Sequence, residues 1–195
     1  MDNKTKYSWT NVSGSGGAKY HCGYCGNMVG PSQAYLGVAA RINAPQKNVI
    51  IYVCPNCTQP TFFDYDGKQV PAPGLGANID VITDEGIRKL YDEARDCTSV
   101  GAYTAAVLLC RKILMNLAIQ HGATPGLKFV EYVEYLEKVG YVPPNGKAWV
   151  DKIRKRGNEA THEIALMNQA DATQIMRFTE MLLRFNYEFQ DSTKL

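Results

Sequence analysis

The sequence predicts an α+β protein in two parts: a small β module over residues 1–65, a linker at 66–82, and an all-α bundle of five helices over 83–195. Three observations carry this. Up to about Tyr65 the chain mixes β-branched and aromatic residues with Gly and Pro. The stretch "DYDGKQVPAPGLGANID" (64–80) has no apolar period and reads as a connector. Beyond it, apolar residues recur at helical spacing.

In the first part, "KYHCGYCGNMV", "QAYLGVAARI", "NVIIYVCPNC" and "PTFFDY" read as short β segments. In the second, Thr83 caps a helix through "DEGIRKLYDEARDC", with Asp84 and Glu85 where the helix dipole favours carboxylates and Ile87, Leu90, Tyr91 and Ala94 as its buried stripe. Thr98 or Ser99 caps the next, "VGAYTAAVLLCRKILMNLAIQHG". It is apolar almost all round, as suits the centre of a bundle, and ends at Gly122. A third helix, "KFVEYVEYLEKVG", aligns Phe129, Val133 and Leu136 on one face. A fourth runs from about Lys147 into "KRGNEATHE" (155–163), and "DATQIMRFTEMLLRFNYEFQ" makes the fifth.

Composition is that of a globular protein, with 45% hydrophobic and 21% charged residues. No apolar run is long enough to span a bilayer, and the N-terminus lacks an apolar stretch behind its lysines. The expected compartment is the cytoplasm. Four of the six cysteines form two Cys-x-x-Cys pairs, Cys22/Cys25 and Cys54/Cys57, with 28 residues between them. That spacing is metal arithmetic rather than a disulfide framework. Four thiolates suit tetrahedral zinc and fill its shell, so the expected ion is structural Zn2+ in a module too small to fold on apolar burial alone. His21, beside Cys22, is a competing ligand. Lys19, Tyr20, Tyr24 and Arg41 place cations and aromatics near the pairs, which leaves nucleic-acid docking by this module open. Cys97 and Cys110 sit singly in helical sequence and read as small buried residues.

The net charge of +2 does not advertise a polyanion-binding protein, but its distribution is uneven. Lys147, Lys152, Arg154, Lys155 and Arg156 crowd against "KRGNEATHE", where Asn158 and His162 stand one helical turn apart on one face. Arg154 lies near that face and Arg156 points about 120° from His162. Such a pair serves two purposes in proteins. It can satisfy neighbouring polar groups inside a bundle, or it can form a site.

The order of a two-knuckle cysteine module, a Pro-containing connector, "IRKLYDEARDCTSVGAYTAAVLLCRKIL" and "IRKRGNEATH" resembles the domain-of-unknown-function 4145 family, within the HEPN (higher-eukaryote and prokaryote nucleotide-binding) superfamily, over most of residues 20–188. The resemblance implies an HEPN-like bundle that acts on RNA as a homodimer, in the manner of metal-independent endoribonucleases that recur in prokaryotic defence and stress. Those enzymes carry Arg, four to six residues, then His. Arg156 and His162 enclose "GNEAT", and Gly157 stands where a polar residue often follows the Arg. On this resemblance His162 is the general acid or base, Arg156 or Arg154 stabilises phosphoryl charge, and Asn158 orients the imidazole or the phosphate. Lys152, Lys155 and Arg111 are the candidate nucleic-acid contacts. A carboxylate often follows Arg111 in that family, whereas this chain has "RKILMN". The alternative is a non-catalytic zinc-ribbon and helical module that binds a partner protein or nucleic acid.

Overall fold

The computed structural model describes residues 6–12, 17–39, 48–142 and 166–188. They form two compact units, one through Gly74 and the other from Leu75.

The first unit is built on a five-stranded antiparallel sheet of order β1-β4-β5-β6-β7, from β1 (Tyr7–Val12), β4 (Gln33–Ala39), β5 (Val49–Val53), β6 (Pro60–Phe63) and β7 (Gln69–Val70). A two-stranded ribbon, β2 (Tyr20–His21) with β3 (Met28–Val29), completes it. The sheet is therefore larger than the expected short segments. Strand β1 comes from the unassigned N-terminal stretch and β7 from within the expected linker. In "YSWTNV" Tyr7 and Trp9 stand two residues apart, so both rings lie on one face of the strand. The β6–β7 turn is held by Asp64, whose carboxylate accepts from the amides of Asp66 (2.9 Å) and Lys68 (2.8 Å).

In the second unit the expectation of five helices is corrected. The described residues form four: α1 (Glu85–Ser99), α2 (Tyr103–Gln120), α3 (Phe129–Lys138) and α4 (Gln169–Tyr187). The segment from Lys147 into "KRGNEATHE", expected as a further helix, lies outside the described residues. Two boundaries also moved. Asp84, not Thr83, caps α1, its carboxylate accepting from the Ile87 amide. Thr98 and Ser99 belong to α1 rather than capping α2. Gly101 is the reason: at φ 79° it occupies the left-handed region, with its amide donating to Thr98 O and that of Ala102 to Cys97 O. These are the two bonds of a Schellman stop. The same pair of bonds ends α2 around Gly122 and α3 around Gly140.

Helix α2 packs against α1, α3 and α4. That position explains its all-round apolar sequence, since Ala106, Val107, Cys110, Ile113, Leu114, Leu117 and Ala118 are all buried. Ile87, Tyr91 and Ala94 from α1, Phe129, Tyr132, Val133 and Leu136 from α3, and Ile175, Met176, Phe178, Leu182 and Leu183 from α4 close one core around it. Cys110 lies fully inside, its thiol 3.1 Å from the Met176 sulfur and pushed up to about 12 by burial. No helix among the described residues is long and apolar enough to cross a membrane.

Candidate metal centre

Each Cys-x-x-Cys pair folds as a tight knuckle, and the two knuckles use the same bonds. In the first, the Cys22 amide donates to Asn27 O and the Gly26 amide to Cys22 O, both at 2.9 Å. In the second, the Cys54 amide donates to Gln59 O at 3.1 Å and the Thr58 amide to Cys54 O at 2.9 Å. The equivalent fifth positions, Gly26 (φ 71°) and Thr58 (φ 59°), are both left-handed. Tight reversal there points both sulfurs of a knuckle to one side. The Tyr24 amide faces the Cys22 sulfur at 3.5 Å.

The topology then brings the knuckles together. Cys22 follows β2 and Cys54 follows β5, and the four Sγ atoms lie within 4.8 Å of one another. Cys22 Sγ is 3.6 Å from Cys57 Sγ, and Cys25 Sγ is 3.8 Å from Cys54 Sγ. None of the four is in a disulfide. A tetrahedral ion with Zn–S bonds of about 2.3 Å requires sulfur–sulfur edges of about 3.8 Å. The donor set and its spacing therefore fit a metal ion. His21 is not part of the cluster; its Nδ1 donates to Gly26 O at 3.4 Å from an exposed position.

Electrostatics point the same way. Burial pushes the Cys22 thiol up, and burial together with the neighbouring thiols pushes Cys57 up to about 12. At Cys25 burial also acts upward, but the Asn27 amide, the Asn56 side chain and the adjacent thiols outweigh it and hold the group at about 6. The cluster accepts a first negative charge readily and resists more. A central cation reverses that logic and lets all four sulfurs ionise.

A small shell supports the cluster. Tyr20, Cys22 and Cys54 form its buried kernel, with Tyr52 and Phe63 packed on it. The Tyr20 ring lies 5.5 Å from those of Tyr52 and Phe63, and burial beside Cys22 and Cys54 pushes its phenol up to about 12. Tyr20 is thus a packing residue, 6% exposed, whereas Tyr24 stands out at the knuckle tip. Strand β7 clasps the first knuckle: Gln69 Nε2 donates to His21 O (2.7 Å) and to Pro71 O (3.1 Å). A Cβ at Gly23 would stand 2.1 Å from Pro71 O. Neither contact had a signal in the cysteine spacing.

Of the candidate RNA-site residues, Arg154, Arg156, Asn158 and His162 lie outside the described residues, as do Lys152, Lys155 and Arg41. Arg111 is described: it faces inward from α2, 8% exposed, with its guanidinium carbon 4.4 Å from the centre of the Phe129 ring. Burial lowers its pKa.

His121, the C-cap of α2, is the hub of a polar network. Asn186 Nδ2 donates to Leu182 O, so its Oδ1 accepts from His121 Nε2–H at 2.5 Å. That leaves His121 Nδ1 to accept from the Tyr141 hydroxyl at 2.7 Å, while the Tyr135 hydroxyl donates to His121 O at 2.7 Å. The partners lie 14 to 65 residues away in sequence, which is why spacing could not reveal them.

No curated protein and no solved structure matches the chain significantly. The family described as Domain of unknown function (DUF4145) matches residues 92–194, from the middle of α1 onward, so the match includes "KRGNEATHE" and leaves out the cysteine module. Because it spans more than half of the chain, the protein belongs to the DUF4145 family.

Proposed function

We propose that this DUF4145 protein is an HEPN-like RNA-acting protein of the cytoplasm, a homodimer that cuts RNA through the 154–162 stretch and carries a structural zinc in a separate ribbon-like unit. The observation that supports it best is that the family match falls on the segment holding Arg154, Arg156, Asn158 and His162. The proposed reaction is attack of a ribose 2′-hydroxyl on the adjacent phosphate. His162 takes or returns the proton, Arg156 or Arg154 meets the charge growing on the phosphoryl oxygens, and Asn158 holds the imidazole or the phosphate in place. Lys152 and Lys155 steer the backbone. Zn2+ on Cys22, Cys25, Cys54 and Cys57 supplies folding energy rather than a reactive water, because four thiolates complete its shell.

The test is cleavage of single-stranded RNA by the purified dimer with free divalent cations chelated. His162→Ala abolishes cleavage with the fold intact, and Arg156→Ala costs more than Arg154→Ala. RNA that is bound but left whole by the wild-type protein replaces the enzyme with a non-catalytic binding module.

A further inference from the structure

The sheet of the first unit has two unlike faces. One carries Tyr52 and Phe63 onto the cysteine cluster. The strand register fixes what stands on the other. One rung crosses all five strands as Asn11, Tyr35, Ile51, Phe62 and Val70, and the next runs Trp9, Gly37, Val49. Flanking rungs add Tyr7 beside Ala39, and Gln33 beside Val53 and Pro60.

Gly37 is what lays the tryptophan down. A Cβ there would stand 3.0 Å from Cη2 and Cζ3 of Trp9 and 2.7 Å from Val49 Cγ2, so the indole spans the glycine and reaches over the neighbouring strand. One side of the ring system is thereby spent on the sheet. Trp9 is nevertheless 44% exposed. Tyr7 lies 6.2 Å from it, centre to centre, and Tyr35 and Phe62 are partly exposed on the next rung. Exposed Asn11 and Gln33 stand among these rings, and the Gln33 amide oxygen accepts from the Tyr35 hydroxyl at 3.1 Å.

We propose that this face is a stacking platform for single-stranded RNA, with bases on Trp9, Tyr35 and Phe62 and hydrogen-bonding amides at Asn11 and Gln33. Three features select that occupant. Exposed amides at Asn11 and Gln33 stand beside the rings of Trp9 and Tyr35, so hydrogen-bonding groups and stacking surfaces are offered together. No carboxylate occurs on these rungs. Residues 1–75 carry six Lys and Arg against three Asp and Glu. The unit is thus biased toward a polyanion. The platform shares its partner with the function proposed above but none of its residues, so each can fail alone.

The test uses the full chain with its metal bound. His162→Ala is present so that no RNA is consumed, and Trp149→Phe leaves Trp9 as the one indole of the two in the sequence. A uridine-rich 12-mer RNA is titrated in, following Trp9 emission and the anisotropy of a labelled oligomer. Binding quenches Trp9 and weakens as salt rises. Trp9→Ala and Tyr35→Ala each weaken binding about tenfold or more, while Tyr35→Phe, which keeps the ring, binds as the parent does. Because Trp9→Ala also uncovers Gly37, the paired variant Asn11→Asp/Gln33→Glu repeats the test at two exposed positions; it repels the phosphates and binds at least tenfold more weakly with every ring in place. Trp9 emission unmoved by RNA, together with unchanged affinity in the paired variant, overturns the platform. So does emission that changes with protein concentration alone as the mass doubles, since the face then closes on a second copy. Wild-type cleavage with a silent Trp9 sinks only the platform; tight binding without cleavage sinks only the enzyme.

Discussion

At the scale of the residue, the two knuckles make opposite demands, at Gly23 in the first and at Thr58 in the second. Gly23 stands against backbone that cannot yield, with Pro71 O at 2.1 Å from any Cβ, so Gly23→Ala forces the first knuckle away from β7. We expect a loss of about 1–3 kcal/mol, seen as a lower melting temperature of the first unit and easier loss of metal to a competing chelator. Thr58 shows the reverse. A β-branched residue at φ 59° carries left-handed strain of about 1–2 kcal/mol, which glycine removes at an entropic cost of about half that. Thr58→Gly therefore holds metal at least as tightly as the wild type, and a marked loss in that competition would show that its hydroxyl bond to Cys57 O matters more. His121 is held from both ring nitrogens. His121→Ala strands the buried Asn186 carbonyl and the Tyr141 hydroxyl and costs about 1–3 kcal/mol in urea denaturation. The four cysteines were legible because ligand spacing is local chemistry. Gly23 and His121 were not, since their partners are set by tertiary contact.

At the scale of the element, the four described helices were readable, and so was the stop of α2 at Gly122, but the start of α1 and the junction between α1 and α2 were not. The apolar stripes of α1 and α3 follow from spacing alone; Ile87, Tyr91 and Ala94, then Phe129, Val133 and Leu136, are buried as expected, whereas Leu90 is half-buried. Between α1 and α2 the sequence offers Thr98, Ser99 and Gly101 within four positions, and a cap reading competes with a stop reading. The stop wins because Gly101 alone accepts φ 79° at no steric cost, while Thr98 is recruited elsewhere, its hydroxyl donating to Arg95 O and accepting from the Leu75 amide. Gly101 and Gly140 have nothing within 4 Å of a Cβ, so alanine there tests backbone conformation without packing. Each of Gly101→Ala and Gly140→Ala should lower stability by about 1 kcal/mol in thermal or urea unfolding, with helical content of the folded state unchanged. No change in either would show that the stops are held by the Schellman bonds irrespective of residue type. Strand β1 illustrates the other limit. Tyr7, Ser8, Trp9 and Thr10 alternate, but the strand's place at the sheet edge is fixed by six register pairs with β4 that no local pattern encodes.

At the scale of the whole molecule, the division into two units has an energetic meaning. The buried core from Ile79 to Leu183 belongs wholly to the second unit, whereas the first unit's buried cluster on the metal side comprises Tyr20, Cys22 and Cys54 with a few half-buried neighbours. Ordering each residue costs about 1–2 kcal/mol of backbone entropy, and so small a kernel does not offset that over the sheet, whereas a bound structural zinc contributes about 10–16 kcal/mol. The second unit draws on α2 wrapped by three helices and needs no ion. Removing metal with a strong chelator should therefore unfold the first unit and spare the helices. Calorimetry of the loaded protein should show a transition that disappears on chelation and returns with zinc, while far-ultraviolet dichroism near 222 nm keeps most of its helical amplitude. Cys54→Ser, which removes one ligand and unbalances the other three, should reproduce the chelated state without chelator. Acid should do the same, because each sulfur must lose its proton to bind, so metal is held at high pH and released as falling pH returns protons to the thiolates. If chelation instead left the β signal and both transitions in place, the sheet would be folding on its own apolar surface, and the cysteine cluster would have to be assigned a role other than holding the unit together.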